Sequence, residues 1–208
     1  MRRANIAVFV SGGGTNLQAL IDAERAGILH SGSIRLVVSD RPGVYALERA
    51  KSASIPTEVV YKKELGAECF ESELHRLVAA YEIDLIVLAG FTAILGEGFT
   101  SRYPERILNV HPSLIPSFCG KGYYGLRVHE AALSYGVKVT GATVHFVNEI
   151  PDGGRIVMQK AVAIRENDTP ETLQKRVMRL AEWKILPAAT EKVSADIIKA
   201  DFIRGESK

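Results

Sequence analysis

The segment Asp84–Ala89 (DLIVLA) is the feature that most restricts how this chain can fold. After the aspartate every side chain is apolar, so a strand formed here must be covered on both of its faces. Strands covered on both faces occur in parallel sheets that carry helices on each side. We therefore predict a central strand of such a sheet.

The rest of the N-terminal half alternates between strand-like and helix-like patterns. Further strands are predicted at Asn5–Val10, Ile34–Ser39, Thr57–Tyr61 and Ile107–Val110. Helices are predicted between them at Asn16–Gly27, Tyr45–Ala53 and Glu64–Tyr81. This alternation indicates an α/β fold with a doubly wound, mostly parallel, Rossmann-like sheet.

The pattern changes in the C-terminal part of the chain. Thr140–Val147 and Arg155–Ile164 are strand-like and flank the turn-rich sequence NEIPDGG. Such a pair predicts two antiparallel strands added to the sheet. A last helix is predicted to start near Pro170, after Asp168, and to meet Pro187.

Length, charge and cysteine content limit the partners of the chain. It has 208 residues, a net charge of +2 and two cysteines. The length predicts a single domain over residues 1–208 with a frayed tail at 201–208. So small a charge provides no polycation for nucleic acid, and no segment is apolar for long enough to span a membrane. Two cysteines are too few for a disulfide framework, which favours the cytoplasm. We expect a monomer or a weak homodimer.

A glycine-rich turn separates the first strand from the first helix in the sequence VFVSGGGTNLQAL. Gly13 and Gly14 let the backbone approach a ligand, and N–H groups at a helix start favour an anion. The turn lacks a Walker A lysine, and Leu17 replaces the third glycine of the dinucleotide pattern. With Thr15 and Asn16 as donors, it predicts a phosphate monoester site, where a side chain at Gly14 would meet the phosphate. The alternative is a turn that only packs a helix on a strand.

The sequence ILNVHPSLIPS (107–117) ends a predicted strand in polar residues. Asn109 and His111 are two positions apart and so lie on one face of the strand. Pro112 ends the strand, and ligands of open α/β sheets bind beyond the carboxyl ends of strands. Asp152, in a Pro-Asp-Gly-Gly turn, joins this pair if the turn folds over the strand end. The alternatives are polar groups that satisfy nearby backbone and a carboxylate explained by turn chemistry.

Other candidate groups have simpler interpretations. His30, His75 and His129 are predicted to face solvent, and His145, in mid-strand, to be a hydrogen-bonded structural residue. Cys119 is interpreted as an ordinary thiol rather than as a nucleophile. Without a convincing nucleophile, direct transfer is favoured over a covalent intermediate. The histidine spacing does not match a metal site.

Five motifs, in this order, resemble those of the folate-dependent phosphoribosylglycinamide formyltransferases: SGGGTN, VLAGF, LNVHPSLIPSF, VTGATVHFV and DGG. The resemblance covers nearly the whole chain. It implies transfer of a formyl group from the co-substrate 10-formyltetrahydrofolate to the amine of glycinamide ribonucleotide, in purine biosynthesis and without a metal. It also implies that Asn109, His111 and Asp152 are the catalytic residues.

The same resemblance implies two binding sites. The site for glycinamide ribonucleotide would consist of Gly13, Gly14, Thr15, Asn16 and Glu182. The folate site would consist of Thr92, Ala93, Ile94, Leu95, Asn109, Asn148, Glu149, Ile150, Pro151 and Asp152. The chain departs from the family pattern at Thr92-Ala93, where many members have Met-Arg, and at Trp183, where histidine is common.

Two further departures affect the folate side. Ala67 replaces an arginine that contacts the glutamate tail of folate in some members. Lys62 and Lys63 are the nearby cations that we expect to replace it. The loop Cys119–Gly125 is longer and richer in glycine than in many relatives. These changes concern folate affinity rather than the reaction.

Two rival functions stay open at this point. A tRNA formyltransferase would use the same three catalytic residues, but that class carries a further C-terminal domain. We expect that this shorter and nearly neutral chain is not one of them. A nucleotide-binding regulatory module would use only the glycine loop and would leave Asn109 and His111 without a role.

Overall fold

A seven-stranded sheet forms the centre of the protein in the computed structural model, which describes residues 2–205. The strands are β1 (Ala4–Val10), β2 (Gly32–Ser39), β3 (Thr57–Val59), β4 (Leu85–Leu88), β5 (Ile107–His111), β6 (Val139–Phe146) and β7 (Ile156–Ala163). Their order in the sheet is β3-β2-β1-β4-β5-β6-β7. Strands β1 to β5 are parallel, whereas β6 and β7 are antiparallel to their neighbours. The predicted fold class, with its added antiparallel pair, is confirmed.

Helices cover both faces of this sheet. They are α1 (Thr15–Arg25), α2 (Tyr45–Ser52), α3 (Lys62–Ala80), α4 (Glu97–Thr100), α5 (Leu126–Tyr135), α6 (Pro170–Val177) and α7 (Trp183–Arg204). Side chains alternate along β1, so Ile6 and Val8 pack with α1, α2 and α7, and Ala7 and Phe9 pack with α3. Within residues 2–205, no helix is both long enough and apolar enough to cross a membrane.

The strand order reverses between β1 and β4, and the loops that follow these two strands meet there. The backbone N–H of Thr92 donates to the Ser11 hydroxyl at 2.8 Å. Ligands of doubly wound sheets bind at this switch point, outside the carboxyl ends of the strands. The fold therefore brings the glycine loop after β1 next to the loop after β4.

A buried ion pair fixes the start of α6. Asp168 lies just before the helix, and its carboxylate accepts from both terminal nitrogens of Arg176 and from the Arg165 backbone N–H at 2.7 Å. The side chains of Asp168 and Arg176 are only 3% and 11% exposed. Thr169 caps the helix by accepting from the Thr172 N–H. The predicted helix start is confirmed, and the ion pair of Asp168 with Arg176 explains why an aspartate stands there.

The helix predicted to meet Pro187 does not end there. A π-helical turn, Met178–Glu182, joins α6 to α7, and α7 continues through Pro187 to Arg204. Pro187 lacks the N–H that would bond one turn back in the helix. The wide π turn just before it is the kind of local distortion that lets a helix continue past such a loss.

The tail predicted to fray at 201–208 is helical in its first part. Residues 201–204 belong to α7. Asp201 forms an ion pair with Arg2, and Arg2 also binds Asp84 at 2.7 Å. These contacts tie the end of α7 to the starts of β1 and β4, and fraying of the tail as a whole stays a prediction. Residues 206–208 lie outside the described part of the chain.

Candidate active site

Strands β5 and β6 bring three polar side chains to one place. Asn109 pairs across the two strands with His145, and His111 pairs with Thr143. Residues two apart on a strand share a face, and paired residues of adjacent strands share it too. The Asn109 Nδ2 atom lies 3.2 Å from the His145 Nε2 atom. The predicted shared face of Asn109 and His111 is therefore occupied by a second histidine as well.

The turn after β6 folds over the end of β5 and delivers Asp152. Its Oδ2 atom lies 3.5 Å from His111 Nδ1, and its Oδ1 atom lies 3.5 Å from His145 Nε2. Asp152 has a φ of 56°, a left-handed conformation that aspartate tolerates better than most residues. Gly154 lies so close to the Phe146 carbonyl that an added Cβ would overlap it. We expected Asp152 to join Asn109 and His111 only if its turn folds over the end of the strand, and the turn does so.

The surroundings of Asp152 keep it ionised. Burial acts to raise the pKa of its carboxyl group, but hydrogen bonds from His145 and from the Gly120 N–H, at 2.7 Å, oppose this. The charge of His111 opposes it as well. The net result is a pKa below the usual value for aspartate. A carboxylate is therefore present between the two histidines at neutral pH.

Both ring nitrogens of His111 face oxygen acceptors. Its Nε2 atom lies 2.9 Å from the Phe118 carbonyl oxygen, and its Nδ1 atom faces Asp152. Histidine donates from both nitrogens only as the imidazolium. His111 is 5% exposed, so water competes little for these two contacts. The site therefore offers an oxygen acceptor to each ring nitrogen of His111.

His145 was interpreted as a structural residue, and that interpretation is incomplete. Its Nδ1–H donates to the Phe146 carbonyl at 2.8 Å, which confirms the predicted hydrogen bond. This contact leaves Nε2 as the atom that faces Asn109 and Asp152. The alternating pattern of VTGATVHFV, next to a polar strand end, is the signal that could have placed it in the site.

The remaining histidines differ from one another. His30 is exposed as predicted, with 72% of its side chain accessible. His129 was predicted to face solvent, which is wrong, because it is fully buried in α5. Burial, and then the charge of His111, lower the pKa of His129 to about 4. His75 is half-buried rather than exposed, and its Nδ1 lies 2.8 Å from the Tyr103 hydroxyl. Sequence neighbours such as Glu130 did not indicate which helix face is covered.

Cys119 lies beside this site but behaves as a thiol. Its Sγ donates to the Pro116 carbonyl at 3.3 Å. Burial raises the pKa of the Cys119 thiol, and the charge of Asp152 raises it further. A raised pKa disfavours the nucleophilic thiolate, which agrees with the ordinary role predicted for it.

The glycine loop is held from behind by α2. The backbone N–H of Ala46 donates to the Gly12 carbonyl at 3.1 Å, and Arg49 Nε donates to the Gly13 carbonyl at 2.8 Å. Gly14 has a φ of 72°, and an added Cβ there would lie 2.7 Å from the Cβ of Ala46. The expectation that a side chain at Gly14 would meet the phosphate is therefore wrong, since it would strike α2. An added Cβ at Gly13 would meet open space.

Glu182 and Asn16 form a buried pair next to this loop. The Asn16 Nδ2 donates to Glu182 Oε2 at 2.8 Å, and the two residues are 8% and 7% exposed. Burial raises the pKa of Glu182, although the hydrogen bond from Asn16 acts against it. Within the described residues the Asn16 Oδ1 atom is buried and has no hydrogen-bond partner. The π turn at 178–182 is what directs Glu182 inward.

The residues of the predicted folate site differ in how far they are exposed to solvent. A cleft of about 540 Å³ is lined by Asp40, Arg41, Tyr61, Lys62, Lys63, Ala67, Thr92 and Ala93. Ile94 is 76% exposed, whereas Leu95 is buried in the core and offers little surface to a ligand. In the Asn148–Asp152 turn, Ile150 is 58% exposed. The exposed members of the set are thus Thr92, Ile94, Glu149, Ile150 and Pro151.

Metal ligands are not clustered in the part of the chain that the structure describes. Groups of three or more His, Cys, Asp or Glu side chains able to hold a metal ion do not occur within residues 2–205. A reaction without a metal stays a prediction.

Comparison with known proteins gives this arrangement a family. Residues 4–190 match the family model described as formyl transferase. Over 202 residues the chain is 42% identical to the trifunctional purine biosynthetic protein adenosine-3 of Homo sapiens, which covers 95% of this chain and 19% of that protein. The chain therefore spans about a fifth of the length of that curated relative.

Solved structures match along nearly their whole length. Glycinamide ribonucleotide transformylase 1 from Symbiobacterium toebii has a TM-score of 0.86 and 38% identity, covering 93% of this chain and 89% of that one. The phosphoribosylglycinamide formyltransferase from Coxiella burnetii, in complex with CHES, has a TM-score of 0.85 and 41% identity, covering 94% and 89%. Fold, motifs and sequence identity agree, and the chain belongs to the formyl transferase family and, within it, to the phosphoribosylglycinamide formyltransferases.

Proposed function

We propose that this protein transfers the formyl group of 10-formyltetrahydrofolate to the amine of glycinamide ribonucleotide, a step of purine biosynthesis. The observation that carries the proposal is the meeting of Asn109, His111 and Asp152 at the carboxyl end of β5. The glycine loop lies at the neighbouring switch point of the same sheet edge. Family membership supports the same reaction.

The chemistry follows from what these side chains can donate and accept. The amine attacks the formyl carbon, a new C–N bond forms, and the carbonyl oxygen becomes an oxyanion. One N–H of the Asn109 amide faces His145, which leaves its second N–H for the oxyanion. The Nε2–H of His111, which donates to Phe118 here, provides the charged donor. Their combined role is to stabilise the tetrahedral intermediate.

Collapse of the intermediate requires a proton to move. The bond between the formyl carbon and the folate nitrogen breaks, and that nitrogen takes up the proton that the attacking amine loses. Asp152 is ionised and able to hold a water molecule that carries this proton, while its charge also favours the imidazolium of His111. Direct transfer fits this site, because the raised pKa of the Cys119 thiol disfavours a thiolate nucleophile.

The orientation of Asn109 depends on His145. We expect His145→Leu to lower kcat by up to roughly tenfold, because one net hydrogen bond between neutral groups is worth about 0.5–1.5 kcal/mol. His145→Gln, which keeps a polar partner for the Asn109 amide, is expected to restore part of the rate. Steady-state kinetics with both substrates would measure this. Equal losses for Leu and Gln would show that the contact does not orient Asn109.

The glycine loop is proposed to bind the substrate phosphate, and Gly13 is the position that tests it. Gly13→Ala places a methyl group in open space on the ligand side, so we expect glycinamide ribonucleotide to bind at least about tenfold more weakly. Folate binding is expected to change little. Calorimetry with each ligand would measure this, with Gly98→Ala as a control at a glycine that, like Gly13, has open space and no positive φ. Equal weakening of both ligands would mean that the loop is only structural.

The cleft beside Ala67 is proposed to receive the glutamate tail of the folate. Lys62 and Lys63 line it, and Lys62 Nζ donates to the Ile94 carbonyl at 3.2 Å. Exposed ion pairs are worth about 0–1 kcal/mol, so Lys62→Met with Lys63→Met should raise the folate KM by up to roughly fivefold. Turnover should not change. A large fall in kcat would remove these lysines from the tail contact and assign them to the reaction.

One assay separates the proposed function from its rivals. The protein is incubated with 10-formyltetrahydrofolate and either glycinamide ribonucleotide, charged initiator tRNA or no acceptor. Formylated glycinamide ribonucleotide is the expected product. Formylated tRNA would support the tRNA enzyme, and formate without an acceptor would indicate hydrolysis. Binding of nucleotide without any formyl transfer would support a regulatory module. The cytoplasmic location and the monomer or weak homodimer stay predictions.

A further inference from the structure

We propose that Arg49 is a positioning residue of the phosphate site, which holds the glycine loop so that its N–H groups face the phosphate. Arg49 lies on α2, outside the residues that the sequence motifs single out. The proposal rests on the proposed function, because it requires a phosphate at the loop. It assigns to α2 a part in substrate binding.

The guanidinium of Arg49 is fixed on three sides. Its Nε donates to the Gly13 carbonyl at 2.8 Å, and its Nη1 donates to Gln18 Oε1 on α1 at 3.0 Å. The Tyr45 ring stacks on it, with 4.8 Å between the guanidinium carbon and the ring centre. A planar fork with a stacked face suits arginine and no other residue. One side chain therefore joins the glycine loop, α1 and α2.

The contact determines which way the loop peptides point. In a trans peptide the C=O of one residue and the N–H of the next point in opposite directions. Arg49 holds the Gly13 carbonyl on the α2 side, and the Ala46 N–H holds the Gly12 carbonyl there too. The N–H groups of Gly13 and Gly14 must then point away from α2. Successive N–H groups that face one side form an anion-binding concavity.

Packing supports the same direction for the ligand. An added Cβ at Gly14 would lie 2.7 Å from Ala46 Cβ and 3.4 Å from Arg49 Cδ. Added Cβ atoms at Gly12 and Gly13 would meet nothing within 4 Å. The loop is thus closed toward α2 and open on the opposite side. The positive charge of Arg49 stands directly behind the opening, where it favours an anion.

Binding of ribose 5-phosphate and of a folate analogue that cannot transfer its formyl group tests the role. Calorimetry is done with wild type, Arg49→Met, Arg49→Lys and the control Arg25→Met, which removes an exposed charge at the far end of α1. Arg49→Met is expected to weaken ribose 5-phosphate binding about 10- to 100-fold, the loss of a charge-assisted hydrogen bond. Folate binding and the control should stay within about twofold of wild type.

The lysine variant separates position from charge. An ammonium group cannot hold Gly13 and Gln18 at once, so Arg49→Lys is expected to lose at least about fivefold for ribose 5-phosphate. Full recovery by lysine would overturn the proposal, because charge alone would then be enough. Equal losses for phosphate and folate ligands would also overturn it. Should Arg49→Met not fold, Gln18→Met, which releases one end of the guanidinium, must show a smaller loss in the same direction. Failure of the wild type to bind ribose 5-phosphate would instead contradict the proposed function.

Discussion

Replacement of Asp152 by Asn is expected to lower kcat by roughly 10²- to 10⁴-fold, the usual contribution of general acid–base groups. The amide keeps the shape of the turn but removes the charge that lies 3.5 Å from His111 and from His145. The imidazolium of His111 then loses its counter-charge, and the oxyanion loses its charged donor. Ligand affinities should change little. Glu130→Gln, which removes an exposed carboxylate outside the proposed sites, is the control.

The same variant identifies whether Asp152 works through His111. His111→Asn added to Asp152→Asn should cost little more than either change alone, because residues that act as a unit are not additive. A double-mutant cycle in kcat, with the pH–rate profile of each variant, measures this. Independent multiplication of the two losses would reduce Asp152 to a turn residue.

Arg176→Met is expected to destabilise the protein by about 3–5 kcal/mol, because it leaves the buried carboxylate of Asp168 without its partner. The measurement is urea unfolding at pH 7. Arg155→Met is the matched control, since Arg155 and Glu105 form a pair that is 62% exposed on each side. An exposed pair should cost no more than about 1 kcal/mol. Similar losses for both variants would show that burial of Asp168 does not matter.

The ion pair also has a pH dependence with a defined sign. Arg176 lowers the pKa of Asp168 to about 2. A carboxyl group whose folded-state pKa is lowered stabilises the fold above its unfolded pKa, about 3.9, and this stability is lost as the pH falls toward the folded value. Wild type should therefore lose stability between about pH 4 and pH 2. Asp168→Asn should lose less over the same interval, and an unchanged pH profile would contradict this.

The sequence allowed the sheet to be predicted because each strand carries a local pattern. The apolar run at Asp84–Ala89 and the polar end of Ile107–Val110 depend on neighbours one or two residues away. His129, His145 and Arg49 have no such signal, since their environments come from elements far along the chain. Whether the Asp152 turn reaches His111 is likewise a question of folding in three dimensions.

The orientation of glycine Cβ positions was also beyond the sequence. SGGGTN predicts a loop that approaches a ligand, but it does not show that Gly14 packs on α2 and that Gly13 is open. The π turn that aims Glu182 inward depends on one additional residue in a helical turn, for which no residue pattern is distinctive. The sequence therefore indicates which chemical groups each segment carries, but not the direction in which these groups point.

The pairing of Asn109 with His145 limits where insertions and deletions can be tolerated in this enzyme. A single residue inserted in β6 between Thr143 and His145 would turn the imidazole to the other face of the sheet, because side chains alternate. The turn back to Asp152 allows as little freedom. The Cys119–Gly125 loop carries no such alternation after Gly120, which binds Asp152, so insertions beyond that residue lengthen the loop without turning a side chain to the other face. We expect gaps among functional relatives to collect in that loop and to avoid the β6 segment.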